Sequence, residues 1–194
     1  MMKNIGIQAV FIALLVGTSA CSDKAPAEKK HSLFHRRSRP ALPPPSPTAH
    51  LVVLPDSAIS VEPRSTEEQL ANFLSSDEPA PRTFRFTGTE FEPWRSEPNP
   101  ATLRTMYAVA QILRAYPHST VTLIGHTDND GTPEQNVALS QARVDRMAAL
   151  LIQGGIALRR IKTEGRGLTQ PIADNSTLQG RARNRRIELI VTSK

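Results

Sequence analysis

The chain has one cysteine in 194 residues, so it cannot close a disulfide on itself. Signs of catalysis and metal binding are equally sparse. His126 has no second His or Cys at ligand spacing, which argues against a metal site and leaves it as a structural, hydrogen-bonding histidine. No Ser-His-Asp arrangement is evident, no Gly-rich phosphate loop follows a strand, and a catalytic acid pair is missing. The expectation is a protein that is not an enzyme and uses no cofactor. The apolar run Ile5–Val16 is too short to cross a bilayer comfortably. What remains is 39% hydrophobic and 22% charged, with a net charge of +6, as suits one domain of common size with extensions. The 16 prolines are unevenly placed, so part of the chain is expected to stay outside the packed core.

The first residues have the layout of an export signal: a basic Lys3, the run Ile5–Val16, then Gly17, Thr18, Ser19 and Ala20 ahead of Cys21. This arrangement resembles a bacterial lipobox, although Thr18 stands where lipoboxes favour Leu. The resemblance implies that residues 1–20 are removed and that the Cys21 thiol is acylated. Ordinary cleavage would leave a spare thiol, and an unpaired cysteine in an exported chain calls for a use. Ser22 in place of Asp implies, by the lipoprotein sorting rule, anchoring in the outer membrane with the rest of the chain in the periplasm. Positive charge alone admits nucleic acid, anionic lipid or acidic polymer as partner; export removes nucleic acid.

Residues 21–55 are polar, basic and Pro-rich, without a sustained period, and read as a tether carrying the basic cluster HSLFHRRSRP. An extended stretch of about thirty such residues would reach roughly 90 Å. In residues 56–81, Ser65 and Glu68 occupy capping-box positions ahead of a short helix over Thr66–Ser75. The folded domain is expected over 82–194. TFRFTGTEFE alternates as a strand does. Asn99-Pro100 starts a helix to about Tyr116, with Leu103, Met106, Ala110 and Leu113 inward. STVTLIGH is a second strand. Thr132-Pro133-Glu134-Gln135 opens a helix that ends at Gly154-Gly155. A third strand lies near Arg160–Glu164, a loop covers Gly165–Arg183, and RRIELIVT is the last strand. The order β-α-β-α-β-β gives an α+β sandwich with two main helices on one face of a small mixed sheet.

Asp128 falls just past the second strand. Asn136, Ser140 and Arg143 share one helix face, beside an apolar face of Val137, Val144, Met147, Ala148 and Leu151 expected to pack on the sheet. Asp128 suits an ammonium, Arg143 a carboxylate through paired N–H donors, and Asn136 can donate and accept. The turn amides near Asn129–Gly131 add partial positive charge. An amino-acid-like group with both charges fits.

GHTDNDGTPEQNVALSQAR, followed by GRGLTQPIADNSTLQGRARNRRIEL, resembles the OmpA-like C-terminal domain family, which includes a peptidoglycan-associated lipoprotein. The resemblance covers roughly Thr83–Val191. It rests on the HTD turn, the N-x-x-L-S-x-x-R helix from Asn136 to Arg143, and the segment Gly180–Arg186. It implies non-covalent binding of peptidoglycan through meso-diaminopimelate in the stem peptide. Asp128 and Arg143 would hold that residue's ammonium and carboxylate, and Asn136 would assist. Thr127, Asn129 and Arg185 are secondary candidates. Val144 stands where Ala is frequent, and Arg166 replaces an aromatic between Gly165 and Gly167. Two roles remain open: a tether between outer membrane and wall, or an accessory lipoprotein in the outer-membrane core of an envelope-spanning secretion system.

Overall fold

The computed structural model describes residues 48–87 and 94–194. The expectations for residues 1–20, Cys21 and most of the Pro-rich segment lie outside these residues. Among the described residues no helix is long and apolar enough to cross a membrane.

Chain order is β1 (His50–Val53), β2 (Ala58–Val61), α1 (Thr66–Ser75), β3 (Arg82–Thr87), α2 (Pro100–Ala115) and β4 (Thr120–His126). There follow α3 (Pro133–Gln153), a short 3-10 turn (Leu158–Arg160), β5 (Ile161–Gly167), α4 (Leu178–Asn184) and β6 (Arg186–Ser193). The main sheet has the order β3-β6-β4-β5, antiparallel except for the parallel pair β4–β5. Ile187, Leu189 and Val191 of β6 are buried with Phe84, Phe86, Val121 and Leu123 of its neighbours. The β-α-β-α-β-β order and the mixed sheet are those expected from the sequence.

The caps explain why the helices start where they do. Thr132 and Gln135 form a reciprocal box, with Thr132 N–H donating to Gln135 Oε1 at 3.0 Å and Gln135 N–H to Thr132 Oγ1 at 3.3 Å. Asn99 Oδ1 accepts from Thr102 N–H at 2.9 Å ahead of Pro100. At α1 only one arm of the expected box forms: Glu68 N–H donates to Ser65 Oγ, while the Glu68 carboxylate accepts from Arg64 N–H.

Three differences from the sequence reading matter. The core begins well before Arg82. β1 and β2 form an antiparallel hairpin, and Leu54, Ile59 and Val61 join Leu70, Phe73 and Leu74 of α1 in the same core as β3 and α2. The tether boundary at residue 55 therefore cuts through this hairpin. Second, the stretch read as a loop over 165–183 continues β5 to Gly167 and then forms α4, capped by Thr177 Oγ1 accepting from Gly180 N–H at 2.9 Å. Third, the buried faces shift. On α2 Leu103 is only half-buried and Val109 and Ile112 take its place.

On α3, Val144, Met147, Ala148 and Leu151 are buried as expected, but Val137 is 44% exposed. Asn136, Ser140 and Arg143 are buried instead. Glycines on the strands allow this. A Cβ on Gly125 would lie 2.6 Å from the Ser140 carbonyl oxygen, and one on Gly165 would meet the Gln141 backbone. The polar face of α3 thus rests directly on the ends of β4 and β5. Ser140 Oγ accepts from Gly167 N–H at 2.9 Å and donates to the Val137 carbonyl.

Candidate binding groove

The end of β4, the turn after it and the start of α3 surround a cavity of about 180 Å³. Thr127, Asp128 and Asp130 from the turn border it, as do Asn136 and Arg143 from α3. Trp94 and Leu139 add apolar surface, and Arg181 and Arg185 close the side nearest α4. Three guanidiniums therefore face two carboxylates around one small space, an arrangement for a ligand bearing both signs of charge with an excess of carboxylate.

The turn is rigid. Thr127 N–H donates to the Gly167 carbonyl at 3.0 Å. Asp128 Oδ1 accepts from Asp130 N–H at 3.3 Å. Asn136 Nδ2 donates to the carbonyls of Asp130 at 2.7 Å and Thr132 at 3.1 Å. The amide nitrogen of Asn136 is thus spent on holding the turn, which fixes the distance between Asp128 and α3. The Thr127 hydroxyl is buried at the cavity without a hydrogen-bond partner.

Asp128 is already paired. Arg185 Nη1 donates to Asp128 Oδ2 at 2.7 Å across 57 residues of sequence. Arg143 Nε donates to the Arg95 carbonyl at 3.0 Å, which fastens the segment before α2 to the cavity floor. The structure brings Thr127, Asp128, Asn136, Arg143 and Arg185 to one place. Asn129 is exposed and does not line the cavity. Sequence reasoning missed Asp130, Leu139, Trp94 and Arg181 as lining residues. Arg181 and Arg185 are four apart, a spacing that marks one helix face; the signal was lost because α4 was read as loop.

The residues behind the groove divide the labour. Asn184 is buried, accepts from Ile172 and Ala173 N–H at 2.8 and 3.0 Å, and donates to the Ala173 carbonyl at 2.8 Å. Arg186, also buried, donates to Glu188 at 3.0 Å and to the Gln170 carbonyl at 3.2 Å. Arg181 donates to the Asn175 carbonyl at 2.9 Å. Arg166 pairs with Glu164 at 2.8 Å and reaches Gln170. His126 is buried at 1% exposure, but neither ring nitrogen has a hydrogen-bond partner, contrary to the hydrogen-bonding role expected of it. Its Nε2 stands 3.7 Å from Glu188. Burial pushes the imidazole pKa down to about 4, and the Arg186 charge acts the same way. No group of three or more His, Cys, Asp or Glu able to hold a metal occurs among the described residues.

Known proteins share this architecture. The OmpA family model matches residues 91–185. The chain is 44% identical over 93 residues to the probable lipoprotein YiaD of Escherichia coli, covering 48% of this chain and 42% of YiaD. It is 42% identical over 92 residues to the peptidoglycan-binding protein ArfA of Mycobacterium tuberculosis, covering 47% of this chain and 28% of ArfA. The chain thus spans less than half the length of these two curated relatives. Among solved structures, the cell wall anchor of the T6SS from Pseudomonas aeruginosa is similar at 30% identity with a TM-score of 0.53, over 67% of this chain and 98% of the anchor. With its HTD turn, its Asn136-to-Arg143 helix and its Asn184-Arg185-Arg186 corner all on this frame, the chain belongs to the OmpA family.

Proposed function

We propose that the protein is an outer-membrane lipoprotein that tethers the membrane to the cell wall by non-covalent binding of the meso-diaminopimelate residue of peptidoglycan. The observation that carries this reading is the cavity that Asp128 and Arg143 share. Asp128 takes the ammonium of the diamino acid, and Arg143 takes the adjacent carboxylate through its flat pair of donors. Arg185 now occupies Asp128 Oδ2. The incoming ammonium replaces it there or binds beside it at Oδ1, and a displaced Arg185 turns to a ligand carboxylate. Asn136 serves by holding the turn. No bond of the ligand is made or broken.

The names of ArfA and of the T6SS anchor support a wall ligand, and that of YiaD supports a lipid anchor. Acylated Cys21 would sit in the membrane, with the Pro-rich segment leading to the wall-binding domain. Exposed ion pairs are worth only about 0.2–1 kcal/mol each, so affinity depends on the partly dehydrated groove. A modest single-site affinity is sufficient, because many wall sites and a membrane anchor raise the effective concentration.

Co-sedimentation with purified sacculi tests the reading. Wild type pellets, and Asp128→Ala and Arg143→Ala each remain mostly in the supernatant. Walls with Lys in place of diaminopimelate lack the side-chain carboxylate and retain less protein. If both variants pellet like wild type, the groove is not the wall site. A second reading, an accessory lipoprotein of a secretion-system core complex, is favoured by the likeness to the T6SS anchor. Extraction in mild detergent followed by sizing separates the two: a free monomer supports the simple tether, a large defined assembly the machine.

A further inference from the structure

The charged residues of the groove account for the ends of a zwitterion and leave its middle without a partner. Diaminopimelate carries a short methylene chain between its amino-acid heads, and a groove of charges alone gives that chain nothing to pack on. Trp94, the one tryptophan of the chain, lines the cavity and is 51% exposed. Among the described residues, Leu139 is the other large apolar side chain on the cavity.

Three features hold Trp94 in this place. Its φ is 59°, a left-handed conformation that a bulky residue adopts only at a cost. Gly131, with φ 85°, gives the ring a seat: a Cβ there would lie 2.6 Å from Trp94 Cη2. Arg95, the next residue, is fastened through its carbonyl to Arg143. None of these buries the ring. Strained backbone that the surroundings hold in place, at the mouth of a cavity, points to a role that the unbound protein does not use.

We propose that Trp94 is a ligand-binding residue, the apolar wall that packs against the methylene chain of the bound diamino acid while Asp128 and Arg143 hold the charges. This rests on the groove being the wall-peptide site. Removing part of an aliphatic chain from water against an aromatic face contributes about as much as burying one or two methylenes. The expected loss on removing the ring is about tenfold in affinity, or about 1.4 kcal/mol.

The test uses the full chain and two probes: the tripeptide L-alanyl-γ-D-glutamyl-meso-diaminopimelate, and the same tripeptide on its disaccharide. Binding is read by calorimetry, and in wild type also by the fluorescence of the single tryptophan. Trp94→Gly keeps the backbone conformation and removes the ring; Trp94→Phe keeps a ring. In wild type the tripeptide shifts the fluorescence saturably. Trp94→Gly weakens both probes by about tenfold and melts no lower than wild type, and Trp94→Phe restores most of the affinity. Unchanged binding by Trp94→Gly overturns the proposal. So does a loss confined to the disaccharide probe, which would make the ring a sugar contact, or a loss that Phe does not restore. If wild type binds neither probe by calorimetry, the reading of the groove fails, and the proposal with it.

Discussion

Glu188 accepts from Arg186 at 3.0 Å and from Arg85 at 3.1 Å, and His126 lies 3.7 Å away on the neighbouring strand. Burial pushes the Glu188 carboxyl up, but these two guanidiniums more than offset it, so the group lies below its usual value and stays ionised. His126, at about 4, is neutral at pH 7 in the folded chain. The sign of its linkage follows. An unfolded histidine protonates near pH 6.5 and the folded one does not, so acid favours the unfolded state. Stability attributable to His126 is present above pH 6.5 and is lost as pH falls from there toward 4. Glu188, with a depressed pKa, keeps its contribution above the ordinary glutamate value near 4.5 and loses it only at lower pH, below the interval from pH 7 to pH 5. Wild type is expected to lose up to about 2 kcal/mol between pH 7 and pH 5. His126→Gln should lose less than half as much over the same interval in urea titrations. An equal loss would assign the titration to another group.

Helices show which parts of this fold are local. The caps at Asn99, Thr132 and Ser65 were legible because each cap and its partner lie within three or four residues. The C-terminus of α2 was not. Pro117 stops the helix, yet its last carbonyls are satisfied from β5's side of the molecule. Arg160 donates to the carbonyls of Leu113 at 2.8 Å, Tyr116 at 2.9 Å and Ser119 at 2.8 Å, and to Ser119 Oγ at 2.9 Å. Such a partner, more than forty residues away, leaves no pattern in the sequence. The same holds for Asn184, which orders the segment before α4, and for Arg185 on Asp128: the motif was visible, the ion pair was not. Arg160→Ala removes a planar fork from the carbonyls of Leu113 and Ser119 and one of three donors from that of Tyr116, which also accepts from Ser119, and should cost about 2–3 kcal/mol. Arg160→Lys should recover only part of it, because an ammonium cannot fork. The denaturant midpoint should fall with an unchanged slope. A loss of stability of under about 0.5 kcal/mol for Arg160→Ala, from the midpoint shift multiplied by the slope, would mean that water caps α2 equally well.

The extent of the folded unit was the least legible property. Residues 48–61 offer two four-residue strands, and β1 is largely exposed on both faces, so no period marks it against the Pro-rich run before it. Only the packed structure shows what the hairpin and α1 do. The Phe73 ring lies 5.6 Å from Phe84 of β3, Thr105 of α2 donates to Glu67 at 2.6 Å, and Lys194 at the far end of the chain donates to the Phe73 carbonyl at 2.8 Å. Leu54, Ile59, Val61, Leu70, Phe73 and Leu74 are all buried in the shared core. At about 1.5–3 kcal/mol for each large apolar side chain, the six together contribute about 9–18 kcal/mol as an upper estimate. That is comparable to the whole stability of an ordinary domain, about 5–15 kcal/mol. A chain beginning at Thr48 should therefore melt with the full-length protein. One beginning at Arg82 should melt at least about 10 °C lower or fail to fold, with Phe84 and Met106 exposed to water. If the shorter chain instead melts within a few degrees of the longer one and still pellets with sacculi, then β1, β2 and α1 are an appendage. Their buried surface would then serve some other purpose than holding the groove in shape.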